Sequence, residues 1–146
     1  MRRGAAATLF CAALVSGALA FAQKHAGSPP SPEQKRRAAE LAGAPSSARS
    51  RGNPLEEDPD AVAAGRKLFT RHCEECHGAE ALGGKKAPSL LQEEVQSAEP
   101  GVLFWFLTNG NVRRGMPTWS KLPEAQRWQL VKFLKSLRTV NNWNSR

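Results

Sequence analysis

Apolar and polar positions divide this chain into three regimes. A nearly continuous apolar run extends from Ala5 to Ala22, broken only by Thr8, Ser16 and Gly17. Residues 23–59 lack any hydrophobic period. They hold six of the ten prolines and no aromatic residue, a composition that buries too little to offset the entropy of ordering. From residue 59 onward apolar residues recur three and four apart, the signature of helices with one buried face.

The periodic region predicts three main helices. The first begins near Asp58 or Asp60, either of which can cap it, with Pro59 suited to a first turn, and runs to about Arg71. Val62, Gly65 and Phe69 share one face, and Gly65 suits a close approach by another helix. The second covers about Glu99 to Asn109, with Gly110 as its C-cap. The third runs from about Pro123 to Arg138, with Trp128, Leu130, Val131, Phe133, Leu134 and Leu137 as its apolar positions. Gln92 to Ser97 adds a short helical turn. No segment alternates as a solvated strand does, so the fold class is all-α.

Arg2 and Arg3 precede the first apolar run, which ends Ala20-Phe21-Ala22. Residues 1–22 therefore read as a secretory signal peptide, with cleavage before Gln23. A retained segment would instead anchor the chain to a membrane. Residues 23–58 read as a Pro/Ala/Ser-rich tether. It has room for one short helix capped by Ser31, with Pro32 in its first turn and Gly43 at its end. Residues 59–138 form the folded domain and 139–146 a polar tail. Roughly 80 folding residues bury a thin core, which needs a cross-link, a metal or a bound group.

The chain has 146 residues and a formal charge of +8, from 21 Lys and Arg against 13 Asp and Glu. This balance favours acidic protein surfaces or anionic membranes as partners. Nucleic acid is not expected, because no recognised reading element accompanies the charge. Of three cysteines, Cys11 lies in the signal segment, which leaves Cys73 and Cys76 in an exported and therefore oxidising compartment.

Those two open the sequence Cys73-Glu74-Glu75-Cys76-His77-Gly78, immediately after the first helix. Cys-x-x-Cys-His is the pattern of covalent c-type haem attachment. Two thiols three positions apart can add to the two vinyl groups on one porphyrin edge, and the next residue, His77, can ligate the iron. Three other chemistries compete for the motif. A thioredoxin-like dithiol expects a preceding strand. Structural zinc needs two more close ligands. A Cys73–Cys76 disulfide is the third. For a sixth iron ligand, Met116 is the one sulfur candidate after the initiator, in Arg114-Gly115-Met116-Pro117 between two helices; otherwise it is a packed loop methionine. His72 is poorly placed for the opposite haem face, and His25 lies in the tether.

On these residues the chain resembles the class I mono-haem cytochrome c family, as found in small bacterial periplasmic proteins and in domains attached to dehydrogenases and oxidases. The resemblance covers about residues 59–138 and rests on Gly65 and Phe69, on Cys73 to Gly78, on Pro88-Ser89-Leu90 and on Gly115-Met116-Pro117. It implies an all-α domain wrapped around one covalent haem c, with His77 and Met116 as metal ligands. It further implies that the Pro88 carbonyl accepts the His77 ring proton, and that Trp128, Val131 or Leu134 meets Gly65 and Phe69. Trp119, three residues beyond Met116, either packs in the core or touches the haem or a propionate. With both axial positions filled, the expected role is that of a periplasmic one-electron carrier rather than an enzyme. The alternative is a haem enzyme or gas or peroxide sensor in which the methionine dissociates. Lys85, Lys86, Arg113, Arg114 and Lys121 flank the two haem-bearing segments and are expected to steer an acidic redox protein.

Overall fold

The computed structural model describes residues 29–144, with the side chains of 139–144 outside that description. The expected signal peptide lies outside the described residues. The chain divides into two units, Met1–Ser31 and Pro32–Arg146, and the second carries every element below. Helices account for its regular structure: α1 (Pro32–Ala42), α2 (Ser46–Arg49), α3 (Ala61–His72), α4 (Glu74–His77), α5 (Glu93–Gln96), α6 (Pro100–Asn109), a 3-10 turn at Val112–Arg114, and α7 (Glu124–Asn144). Among the described residues the only β pairing is an isolated bridge between Asn111 and Met116. The all-α expectation holds.

The core forms where α3 crosses α7. Gly65 makes that crossing possible: a Cβ there would stand 2.1 Å from the Gln129 carbonyl oxygen and 2.8 Å from the Phe133 Cβ. Beside it the rings of Phe69 and Phe133 meet with centroids 5.3 Å apart. The nearest atoms to Gly65 thus belong to the Gln129 backbone and Phe133. Where two backbones touch, large side chains must diverge to either side. Trp128 stacks on Phe104 of α6 with centroids 4.1 Å apart, and its indole Nε1 donates to Glu124. Leu134 turns to a cavity described below.

The expected start of α3 is also adjusted. Asp60 is the N-cap residue but makes no side-chain cap, while the Asp58 carboxylate accepts the Asp60 N–H at 2.9 Å. Pro59 therefore precedes the helix rather than occupying its first turn. α6 follows the expected span closely, from Pro100 at N1 to Gly110, whose φ of 67° suits glycine. α7 continues to Asn144, so most of the expected polar tail is helical.

The segment from Pro32 to Asp58 differs most from expectation. α1 has the bounds that Pro32 and Gly43 predict, and the Gly43 N–H closes it onto Ala39 and Glu40 carbonyls. This segment nonetheless packs on the domain instead of spacing it. Ala44 and Ala48 are buried in the core cluster, with Leu41 against it. A Cβ on Gly101 of α6 would lie 1.9 Å from the Ala48 carbonyl oxygen. Buried Asn53 donates to the Trp128 carbonyl at 3.1 Å and accepts the Leu55 N–H at 2.9 Å. Arg51 lays its guanidinium over Phe104 and Trp128. Small residues and cation–π contacts replace the missing large apolar side chains.

Candidate cofactor site

α3 ends at the motif. Cys73 is both its C-cap and the N-cap of α4, a single turn that carries Cys76 and His77. The N–H groups of both Cys76 and His77 donate to the Cys73 carbonyl, at 3.1 and 3.0 Å. The two thiols are free. Burial, aided by the neighbouring Cys76, pushes the Cys73 thiol up to about 11, while Cys76 is exposed.

The loop after α4 folds back under His77. The Gly83 N–H bonds the His77 carbonyl, and the Leu90 N–H bonds that of Ala81, both at 2.8 Å. Gly83 has φ of 77°, and a Cβ there would lie 2.3 Å from the Ser89 nitrogen. This tight closure seats Pro88 so that its carbonyl meets His77 Nδ1 at 2.9 Å. A carbonyl only accepts, so Nδ1 carries the proton and Nε2 keeps its lone pair. Burial lowers the His77 pKa and outweighs the opposing bond to Pro88, which favours the neutral ring.

His77 lines a cavity of about 860 Å³, at the upper end of the roughly 300–1,000 Å³ range of ligand pockets. All six residues singled out in the sequence line it: Cys73, Cys76, His77, Pro88, Met116 and Trp119. Leu103, Leu107, Val95 and Leu134 supply apolar wall. Met116 arrives on the turn after α6. Its N–H and C=O pair with Asn111, at 3.1 and 2.9 Å, and Gly110 leaves the space its backbone needs. The Trp119 ring packs against His72 with centroids 5.2 Å apart, so His72 is a wall residue.

The basic rim is less uniform than its sequence suggests. Lys85, Lys86, Arg113 and Arg114 line the cavity, and Lys121 does not. Lys86 pairs with Glu75 at 2.9 Å, which holds the Glu75 carboxyl below its usual range, and Arg114 pairs with Glu40 at 2.9 Å. Sequence reasoning missed Glu33, Arg36, Arg37, Glu40 and Leu41, which bring α1 to the same cavity. Their three-and-four spacing was visible, but nothing in it revealed partners more than 50 residues away.

The chemistry of this donor set can be tested against the competing readings of the motif. Among the described residues no group of three or more His, Cys, Asp or Glu is placed to hold a metal, and no strand precedes the cysteines. Two thiols, a neutral imidazole with its outer nitrogen fixed, a thioether and apolar walls fit a haem.

A helical domain with a Cys-x-x-Cys-His turn on the wall of a large apolar cavity is of the cytochrome c type. Residues 60–134 match the model of the family described as "Cytochrome C oxidase, cbb3-type, subunit III", and the chain belongs to that family. Over 40 residues it is 45% identical to the "Cbb3-type cytochrome c oxidase subunit CcoP" of Rubrivivax gelatinosus, covering 27% of this chain and 13% of that protein. Over 68 residues it is 35% identical to the "Quinohemoprotein alcohol dehydrogenase ADH-IIG" of Pseudomonas putida, covering 45% of this chain and 9% of that protein. The chain thus spans only a small part of the length of either relative. The family links the domain to an electron-transfer role at cytochrome c oxidase subunits and points to a c-type haem as its cofactor. No described helix is long and apolar enough to cross a membrane.

Proposed function

We propose that this chain is a one-electron carrier of the class I mono-haem type. Cys73 and Cys76 would hold one haem c covalently, and His77 and Met116 would ligate its iron. The single observation that carries this reading is the meeting of four residues from two distant segments on one cavity, with His77 Nδ1 already committed to Pro88. The haem, when bound, supplies a reversible one-electron couple. The rest falls to the chain. Pro88 fixes the tautomer and the orientation of His77. The Asn111–Met116 pairing holds the methionine turn. Leu103, Leu107 and Leu134 exclude water from the interior, and Trp119 closes the wall against His72.

With residues 1–22 as a signal segment, the carrier works in the bacterial periplasm, either as a shuttle or as part of a redox complex. Filled axial positions give a direct test. Carbon monoxide added to the reduced protein at neutral pH should produce no prompt spectral change. Prompt binding would contradict the carrier role and favour a labile, ligand-binding site.

Lys86 and Arg114 already hold carboxylates, so steering of an acidic redox protein falls mainly to Lys85 and Arg113. Combining Lys85→Glu with Arg113→Glu should slow reduction by an acidic donor protein at least about threefold at low ionic strength, with the spectrum unchanged. The difference should shrink as salt screens the rim. An unchanged rate at low salt would dismiss the acidic docking surface.

A further inference from the structure

The segment Pro32–Ala42 precedes the matched family region, which begins at residue 60. In helical form it places Glu33, Arg36, Arg37, Glu40 and Leu41 on one face, at spacings of three and four. All five line the cavity. One flank of this face is anchored. Arg37 Nε donates to Glu94 Oε1 at 3.2 Å, and both side chains are largely buried. Leu41 packs against the core cluster.

The other flank grips the methionine turn. One oxygen of Glu40 forms an ion pair with Arg114 Nε at 2.9 Å, and the other accepts a hydrogen bond from Asn111 Nδ2 at 3.2 Å. Asn111 begins the turn and pairs with Met116 through two backbone bonds, while Arg114 lies two residues before Met116. A single carboxylate therefore ties both sides of the turn. The turn has little other support on its outer side. Val112 is 70% exposed, and a Cβ added at Gly115 would meet nothing within 4 Å.

We propose that Glu40 is a positioning residue for Met116, and that α1 thereby sets how readily the methionine side of the cavity opens to outside ligands. The proposal rests on the reading of Met116 as an axial ligand. It deepens that reading by assigning the control of ligation to a helix outside the matched family region. Glu40 does not itself touch the cofactor. It acts by tying Asn111 and Arg114 to α1, so that the turn carrying Met116 moves more readily once that bond set opens.

The test uses the full, haem-loaded chain in its oxidised state, with cyanide as the probe. Two quantities are measured: the rate of cyanide binding at neutral pH, and the midpoint temperature for loss of the weak sulfur-to-iron absorption band. Helix melting, followed by circular dichroism, is the control. Glu40→Ala should accelerate cyanide binding about five- to tenfold, the loss expected for one partly exposed charge-assisted pair. It should also lose the band well before the helices melt. Glu40→Arg and Arg114→Glu should each behave similarly. The combined charge exchange should bring the rate back to within about twofold of the original, because Asn111 can present either end of its amide.

A Glu40→Ala rate within twofold of the original, or band loss that merely follows helix melting, would overturn the proposal. So would a charge exchange that rescues nothing. If the unsubstituted protein lacks the sulfur-to-iron band, the ligation reading fails first and the proposal with it. A normal band untouched by Glu40→Ala sinks the proposal alone.

Discussion

Gly65→Ala should destabilise the protein by about 3 kcal/mol or more, the upper end of the cost of overpacking a tight core. The sign is the informative part. In an exposed helix the same substitution gains about 1 kcal/mol, because alanine is the better helix former. At residue 65 the new methyl would sit 2.1 Å from the Gln129 carbonyl oxygen, which belongs to the backbone of α7 and has no flexible end to move. The two helices must separate, and that loosens Phe69 against Phe133 and the wall of the cavity behind them. Denaturant midpoints of the haem-loaded proteins measure the difference. A stabilised Gly65→Ala variant would show that the crossing is looser than this account requires. The expected loss is a large fraction of the roughly 5–15 kcal/mol that holds a typical domain together.

Cys73→Ser combined with Cys76→Ser should abolish covalent haem and, with it, the folded state. The reason lies in the cavity. Its volume of about 860 Å³ faces Leu103, Leu107, Val95 and Leu134. A domain this small cannot leave such a wall in water and keep a net stability of several kcal/mol. Retention of colour by the denatured chain reports the covalent link, and circular dichroism reports the helices. The unsubstituted chain should keep its colour through denaturation and the double variant should not. A double variant that still carries haem covalently would refute the assignment of both thiols.

These two effects arise from features of different visibility in the sequence. Cys73, Cys76 and His77 were legible as candidates because the proposed chemistry depends on local spacing within one turn, and all three line the cavity. Met116 was legible by scarcity, as the one methionine beyond the initiator. Gly65 was legible as a site of close approach, since a glycine amid Val62 and Phe69 needs a reason to be there. Its partner was not. Helix periodicity fixes which face is apolar, but the register at which two helices cross depends on which backbones touch. The closest contact consequently fell on the Gln129 backbone and Phe133.

The least legible part was the segment from Pro32 to Asp58. Its prolines, alanines and charges resemble those of a spacer, and its few apolar atoms give no strong period. Its place in the structure comes from backbone contact at Ala48, one buried amide at Asn53, and ion pairs from Arg37 and Glu40 to residues far along the chain. Interactions of that kind leave little trace in local pattern. The basic rim was only partly legible for a similar reason. Lys86 and Arg114 look free in the sequence, yet each meets a carboxylate that only the fold brings near.

The central claim is that one covalently attached haem sits between His77 and Met116. The most direct measurement is the absorption spectrum of the full chain, oxidised and reduced, after production with periplasmic haem maturation. The expected result is a c-type reduced spectrum that survives denaturation of the chain, together with the weak sulfur-to-iron band in the oxidised state. Covalent haem without that band would remove Met116 from the iron. No covalent haem at all would contradict the account and return Cys73 and Cys76 to thiol or metal chemistry.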